Sequence, residues 1–290
     1  MDWSKFKNIA IAIFAVLNII LCVLISEKRN EKYVMQDLQI RRMQTVFAKE
    51  NAAVYTNIDK EFYPMSMLKL NVNSMNDTEV YKEFLGDTNN IKNYIDNEKI
   101  VYEKEGKGQV AIYKNGLIKY INKSIIQTDK KIDKEQAKKE ANKYINKLVF
   151  LKSNYNYTQL NIIGDEYVLE YNSSYKGNLI LSNYVRIHFK QGQISEVDIS
   201  NYNIRGYTNE QREIASSDEV LINLLYGVKE KYKENAQEMN IMDMDLGYYV
   251  DIDNINDYLD IKAEPYYRIQ INEKDVYFIN AYTNEILENR

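Results

Sequence analysis

Residues 265–282 read PYYRIQINEKDVYFINAY, and their pattern predicts a β-hairpin. The runs PYYRIQI (265–271) and VYFINAY (276–282) are rich in tyrosine, isoleucine and valine, and the polar residues 272–275 between them favour a turn. Further upstream, LGYYVDI (246–252) predicts another strand. Together these segments predict an antiparallel meander.

A helix is predicted immediately before these strands. Ser216-Ser217-Asp218-Glu219 has the residue order of a helix capping box. Apolar side chains follow it at helical spacing, at Val220, Leu221, Leu224, Leu225, Val228 and Tyr232. A helix followed by an antiparallel meander is an α+β unit, in which the sheet buries one face on its own helix.

The same order of elements occurs a second time, upstream. Asp133-Lys134-Glu135-Gln136 predicts a helix start, and YVLEY (167–171), LSNYVRIHFK (181–190) and QISEVDIS (193–200) predict three strands. From the cap to the turn of the last hairpin there are 58 positions in this copy and 57 in the other. The matching spacing predicts a duplicated α+β unit.

The amino terminus predicts a membrane anchor. Residues from Ile9 to Ile25 carry no charge, and with their flanks they approach the ~20 residues that a membrane span requires. Trp3 lies where an interfacial aromatic anchor is expected. A cleaved signal peptide is the alternative, but LISEKRN (24–30) offers no small-x-small cleavage site. We therefore expect an uncleaved, single-pass helix.

One face of the expected span carries small and polar side chains. At about 100° per residue they fall within an arc of about 120°, and they are Asn8, Ala12, Ala15, Asn18, Cys22 and Ser26. Small side chains let helices approach closely in lipid, and an asparagine amide can hydrogen bond to a neighbouring helix. This face is a candidate contact for a partner's transmembrane helix, although a short span can also produce such a stripe by chance.

The orientation of the span is not decided by the lysines and arginines on its two sides. The amino-terminal flank is short, and the long region after the span contains no cysteine, which suits the exterior of Gram-positive bacteria. We expect a protein of the cell membrane with a cytoplasmic N-terminus and an extracellular C-terminal domain. Residues 27–49 lack proline and glycine and predict a juxtamembrane helix, which would either transmit motion or serve as a stalk.

The intervening region is less regular. Residues 64–72 predict a strand, 78–86 a short helix, and 110–120 a hairpin that turns at Asn115-Gly116. We take 128–133 and 205–213 as the boundaries between units. The expected organisation is a cytoplasmic segment at 1–7, a transmembrane helix at 8–26, a juxtamembrane helix at 27–49, an N-terminal α+β module at 50–127, a first repeat at 128–205 and a second repeat at 214–290.

These features together resemble the YycI family. The residues that carry the resemblance are Met1-Asp2-Trp3 before a single span, Glu50-Asn51-Ala52, the strand 64–72, KNGLIKY (114–120), and the close AEPYYRI…YFINAYTNEI (263–286). The family's YycI and its relative YycH are membrane-anchored regulators of the WalK (YycG) sensor histidine kinase, which acts with WalR (YycF) in Gram-positive bacteria. The resemblance implies that the span packs against the spans of a WalK-like kinase and a YycH-like protein, and that the complex tunes cell-wall metabolism.

The last unit also resembles a PepSY module, so both repeats are expected to be PepSY-like. Such modules often end in Asn-Ala-x-Thr-Gly-Glu, and the corresponding residues are Asn280-Ala281-Tyr282-Thr283-Asn284-Glu285. Asn284 stands where glycine is usual, and asparagine tolerates the left-handed backbone conformation that such a turn requires. Neither resemblance supplies catalytic residues.

The residue inventory argues against an enzyme. One histidine and one cysteine exclude a multi-histidine or Cys/His metal site and an intrachain disulfide. His188 alternates with apolar residues in VRIHFK, so we expect it on a solvated strand face, without a carboxylate nearby to orient it as a base. The acidic stretch 242–245 does not match an EF-hand and is expected to be a turn. No cofactor or metal is expected.

Two functions of different classes follow from these observations. The first is a non-enzymatic membrane regulator that contacts a sensor histidine kinase through its span and ectodomain. The second is an anchored PepSY-like module that binds or inhibits an extracellular peptidase or cell-wall hydrolase. The net charge of −4, without a basic cluster, argues against nucleic acid as a partner. Both homo- and hetero-oligomers are open.

Overall fold

The computed structural model describes residues 3–73, 75–126, 132–151, 153–234, 237–251 and 260–287, without the side chains of residues 5 and 30. Its helices are α1 (Trp3–Tyr33), α2 (Asp37–Lys49), α3 (Asp77–Leu85), α4 (Lys134–Ile145) and α5 (Ser217–Glu234). Its strands are β1 (Ala52–Val54), β2 (Met65–Val72), β3 (Lys92–Asp96), β4 (Lys99–Lys104), β5 (Gly108–Tyr113), β6 (Leu117–Asn122), β7 (Asn156–Ile163), β8 (Glu166–Tyr175), β9 (Asn178–Lys190), β10 (Gln193–Ser200), β11 (Tyr202–Arg212), β12 (Met239–Tyr249), β13 (Ile261–Ile271), β14 (Asp275–Asn280) and β15 (Ile286–Leu287). The predicted α+β class is confirmed: an apolar N-terminal helix precedes a large, sheet-rich domain.

The second repeat is built on α5. The backbone N–H of Ser216 donates to Oε2 of Glu219 at 3.2 Å, which is one half of the predicted capping box. The apolar stripe of this helix packs on one face of β12, β13 and β14, where Tyr267 and Ile269 are buried. Removing these apolar side chains from water is the main stabilisation of this unit.

The first repeat is built in the same way on α4. The Asp133 carboxylate accepts a hydrogen bond of 2.8 Å from the backbone N–H of Gln136 and so caps the helix. Ala137 and Ala141 are completely buried against the sheet, and their small side chains let the helix approach it closely. Helix α3 covers the same sheet further along, next to β4 and β5.

The strands of residues 50–127 do not form a sheet of their own. Strands β7, β8, β9, β10, β6, β5, β4 and β3 pair in this order, each antiparallel to the next, so the hairpins β3–β6 extend the sheet of the first repeat. Strand β1 instead pairs in parallel with β12, and β2 pairs with β13. The segment is therefore shared between the two repeats.

The two sheets are joined where β12 pairs in parallel with β9. Gly247 and Tyr248 lie opposite Leu179 and Ile180. A Cβ atom on residue 247 would lie 2.8 Å from the carbonyl oxygen of Leu179, which is closer than real side chains approach, so the contact requires glycine.

Several segments differ from the expectation. The first repeat contains an additional strand, β7, before the predicted meander. Residues 205–212, expected at a boundary, lie in β11, which pairs with β2. Residues 242–245, expected to be a turn, lie inside β12. The remaining boundary, 128–133, lies mostly outside the described residues.

Candidate functional site at the membrane-proximal junction

Helix α1 is a candidate membrane span. The stretch Phe6–Tyr33 is long and apolar enough to cross a membrane, and its apolar window of 18 residues is not buried against the rest of the described chain. Trp3 is exposed and stacks on Phe6 with 5.9 Å between the ring centroids. The surface of this helix is therefore available for lipid or for another helix.

The predicted partner face lies on this helix. Each of its members is exposed, and no other described element packs on them: Asn8, Ala12, Ala15, Asn18, Cys22 and Ser26. The Nδ2 group of Asn18 donates a hydrogen bond of 2.8 Å to the carbonyl oxygen of Phe14. This bond reduces the cost of placing the amide in lipid, while Oδ1 stays available to a donor on another helix. The face as a whole stays a prediction.

The juxtamembrane segment contains a break. Residues 34–36 separate α1 from α2, and Met35 is buried in the domain. The backbone N–H of Gln36 donates to Oε1 of Gln39 at 2.7 Å, which gives α2 a capped start of its own. No proline or glycine marks this break, so helical spacing alone predicts one helix through 27–49. The interruption comes from burial of Met35 and from backbone pairing with residues 60–62.

That pairing attaches the end of the span to the ectodomain. The backbone N–H of Met35 donates to the carbonyl oxygen of Lys60 at 2.9 Å, and the N–H of Phe62 donates to that of Tyr33 at 3.0 Å. The ring of Tyr33 meets that of Phe62 edge-on at 6.0 Å. The guanidinium group of Arg29 lies 4.7 Å from the ring centroid of Tyr63. Backbone and side-chain contacts therefore attach the C-terminal end of α1 to residues 60–63.

Glu213, about 180 positions further along the chain, also contacts the end of α1. Its Oε1 accepts a hydrogen bond from Lys32 at 2.5 Å and another from the Tyr33 hydroxyl at 3.0 Å. These bonds, first that of Lys32, lower the pKa of the Glu213 carboxyl, so it is ionised at neutral pH. Glu213 lies directly before Ile214 and the cap of α5, so the end of the span is linked to the helix that forms the core of the second repeat.

Helix α2 docks on the same core. Met43 and Phe47 are buried against α5 and the second sheet. Glu50, after the end of α2, pairs with Lys229 and Lys233 of α5, each at 3.2 Å. We call the contacts of residues 29–35 with residues 60–63 and Glu213 the membrane-proximal junction. The sequence gives no local signal for it, because its members are about 30 and 180 positions apart.

The two repeats meet through a polar layer. Arg268 of β13 is completely buried and donates to Glu170 at 2.5 Å, to Asn172 at 2.9 Å and to Asp245 at 2.5 Å. Nε of Arg186 also donates to Glu170, at 2.6 Å. Burial alone would raise the pKa of the Glu170 carboxyl, but the charges of the two arginines outweigh it and lower the pKa.

The sequence predicts that His188 lies on a solvated strand face, but in the structure it is mostly buried. Its side chain is only 19% exposed, and its Nε2 lies 3.7 Å from Oδ2 of Asp198. Glu196 lies directly opposite it across the β9–β10 hairpin. The carboxylates that were absent from the sequence around His188 are therefore supplied by the neighbouring strand.

No family model matches the chain, and no curated protein matches it. Among solved structures, an uncharacterized protein from Eubacterium rectale ATCC 33656 is similar at 14% identity and a TM-score of 0.48, over 82% of this chain and 90% of that chain. The C-terminal domain of YpeB from Bacillus megaterium is similar at 16% identity and a TM-score of 0.38, over 75% of this chain and 100% of that one. YycH from Bacillus subtilis is similar at 12% identity and a TM-score of 0.47; the match covers 78% of this chain and about half, 55%, of the YycH chain. These are likenesses of fold, and they assign no activity to this chain.

Proposed function

We propose that this protein is a non-enzymatic, membrane-anchored regulator that modulates a WalK-like sensor histidine kinase together with a YycH-like partner. The observation that carries the proposal is the membrane-proximal junction. Because Tyr33 bonds to both Phe62 and Glu213, a displacement of the span would be passed to the ectodomain, and the reverse. Contacts in the membrane and contacts outside it would then act on the kinase as one unit.

The sequence resemblance to the YycI family supports the choice of partners. It covers the order of the elements from Met1-Asp2-Trp3 to the closing hairpin, and the family acts on this class of kinase. The exposed span, with small and polar residues on one side, suits packing against another transmembrane helix. The proposed topology places the N-terminus in the cytoplasm and the domain after Tyr33 outside the cell.

Variants of the junction test this proposal. Glu213→Gln removes the charge that Lys32 and Tyr33 contact, and Phe62→Ala removes the ring that packs on Tyr33. We expect both variants to insert and fold, and to shift a reporter of kinase output towards the value of a strain that lacks the protein. Glu166→Gln is a matched control, because it removes an exposed ion pair with Lys190 far along the chain from the junction. Junction variants that regulate as the native protein does would contradict the proposal.

The alternative, a module that binds a peptidase or a cell-wall hydrolase, is favoured by one feature of the ectodomain. Strand β3 pairs only with β4 among the described strands, and Tyr94 and Ile95 on it are 49% and 79% exposed. Next to it is a cleft of about 380 Å³, lined in part by Ile100 and Ile112. An exposed edge strand beside an apolar cleft can accept an extended segment of another protein.

Replacement of the span separates the two functions. A polyleucine helix in place of residues 9–25 keeps the anchor but removes the face that contains Asn18. Under the kinase proposal regulation should be lost, whereas an ectodomain inhibitor should keep its activity. Ile95→Pro on β3 should have the opposite pattern, because residue 95 is in a non-hydrogen-bonded pair with Ile100 of β4, so its N–H points to the open edge and proline blocks pairing there without changing the span.

A further inference from the structure

The register between β9 and β10 around His188 follows from the positions of the apolar residues. Phe189 lies opposite Ile194, but His188 lies opposite Glu196, because a bulge at Ser195 shifts the pairing by one residue. The bulge keeps Ile194, Val197 and Ile199 on the buried face. It also places Glu196 and Asp198 on the same face as His188.

These three side chains converge. One nitrogen of His188 and one carboxylate oxygen each from Glu196 and Asp198 lie within 4.8 Å of one another. All three residues are partly buried. They project from two adjacent strands of a hydrogen-bonded sheet, so their backbone positions are fixed before any ligand arrives.

His188 and Asp198 each have a buried polar atom without a hydrogen-bond partner among the described residues. These atoms, Nε2 of His188 and Oδ1 of Asp198, are both inaccessible to solvent. A buried polar atom without a partner is unfavourable, so such atoms in a folded protein call for a structural explanation. The two atoms belong to neighbouring side chains, since Nε2 of His188 lies 3.7 Å from the other carboxylate oxygen of Asp198.

The charges of this cluster are unbalanced. Lys119 of β6 forms an ion pair with Glu196 and lies 3.9 Å from Oδ1 of Asp198. One ammonium group thus serves two carboxylates, and the neighbouring Arg186 is already bonded to Glu170. With a neutral histidine, the group retains a negative charge that a cation would neutralise.

We propose that His188, Glu196 and Asp198 bind a divalent transition-metal ion of the zinc type, in competition with the ammonium group of Lys119. One imidazole nitrogen with two carboxylates is a ligand set that Zn²⁺ accepts, and the fourth position is left for water. Ligand atoms around a tetrahedral Zn²⁺ with bonds of ~2.0 Å are ~3.3 Å apart, so side-chain rotation is sufficient to close the site. The bound ion would link β9 and β10 and displace the ammonium group of Lys119 from Glu196 and Asp198.

The test uses the full chain in detergent micelles, titrated calorimetrically with zinc chloride in a buffer that does not bind metals. We expect one Zn²⁺ per chain, and Co²⁺ should give the intense visible absorption of tetrahedral coordination. His188→Gln should weaken zinc binding at least tenfold, because it removes the nitrogen ligand. Lys119→Gln should tighten it, because it removes the competing cation and keeps the strand intact.

The two variants distinguish this site from a merely acidic surface. Absence of zinc binding by the native chain at millimolar metal would overturn the proposal, as would equal affinity in His188→Gln. Calcium binding as tight as zinc binding would also overturn it, since imidazole is a poor ligand for calcium. If His188→Gln does not fold, Lys119→Gln decides: tighter binding supports the site, and unchanged affinity contradicts it.

Discussion

Nη1 of Arg268 lies 2.5 Å from Oε1 of Glu170, and these two buried residues belong to different repeats. Arg268 faces away from α5 and Glu170 faces away from α4, so the pair lies where the polar faces of the two sheets meet. Asp245 and Asn172 accept the other hydrogen bonds of the same guanidinium group. Because Arg268 and Glu170 alternate with apolar residues along their strands, the sequence pattern predicts that they face solvent. In the structure these polar faces instead join the two repeats.

Replacing Arg268 should therefore destabilise the fold strongly. Arg268→Met leaves Glu170 buried beside Arg186 alone and leaves Asp245 without its donor, and loss of one partner from a buried ion pair is typically unfavourable by about 3–5 kcal/mol. Lys190→Met is the matched control, because its half-exposed ion pair is with Glu166, which lies on β8 like Glu170, and we expect a change below about 1 kcal/mol. Urea unfolding of the full chain in micelles measures both. Equal effects of the two substitutions would show that the inter-repeat pair has no special role.

The ionisation of Glu170 should make stability depend on pH. Its pKa in the folded protein is below the ordinary value of 4.5, because Arg186 and Arg268 outweigh the effect of burial. The stabilisation is therefore complete above about pH 4.5 and is lost as the pH falls through the lowered folded pKa. Glu170→Gln lacks this contribution.

The free energies of unfolding of the native chain and Glu170→Gln should accordingly differ most at neutral pH and converge in acid. Unfolding curves at about pH 7, 5, 4 and 3 measure the difference. Carboxyl groups common to both proteins cancel in this comparison. A difference that stays constant over the whole range would mean that Glu170 is not the group that titrates.

The predictability of this fold depends on how local each signal is. The helix α5 follows from residues 216–232, because a cap and an apolar stripe are local features. The bulge at Ser195 was also open to prediction, since Ile194 is out of phase with Val197 and Ile199. Strand β11 was not predicted, because its residues 208–212 are polar on both faces and show no alternation.

Pairings between distant segments were beyond sequence reasoning. Arg268 and Glu170 are 98 positions apart, and Lys32 and Glu213 are 181 apart, so no spacing rule connects them. The partner face of the span differs from these pairings. Its members are close in sequence and lie on one helix, but their role depends on another protein.

The closing turn offers a prediction at one backbone position. Asn284 has a φ of 60°, as its place in the PepSY-like ending requires, and its carbonyl oxygen accepts a hydrogen bond of 2.7 Å from Asn223. Asn284→Ala should destabilise the protein by about 1–2 kcal/mol, because alanine keeps the Cβ atom that is unfavourable in this conformation but lacks the polar side chain with which asparagine offsets that cost, here by accepting a 3.2 Å bond from Asn223. Asn284→Gly removes the same side chain but tolerates the conformation, so it should be close to the native protein in thermal unfolding. An alanine variant as stable as the glycine variant would contradict this account of the turn.

The candidate face of the span can be tested by cysteine crosslinking, because Cys22 is the only cysteine in the chain. With Cys22 replaced by alanine, single cysteines are introduced at successive positions from 12 to 26 and crosslinked in membranes to single cysteines in the span of a WalK-like kinase. Crosslinking should recur about every 3.6 residues, with maxima at positions 12, 15, 18, 22 and 26. Positions 13, 17 and 24 lie on the opposite side of α1 and serve as controls. Maxima at those control positions, or crosslinking without a helical period, would show that Asn18 and its neighbours do not form the contact. The expected period would place the partner helix on the side of α1 where Oδ1 of Asn18 can accept its hydrogen bond.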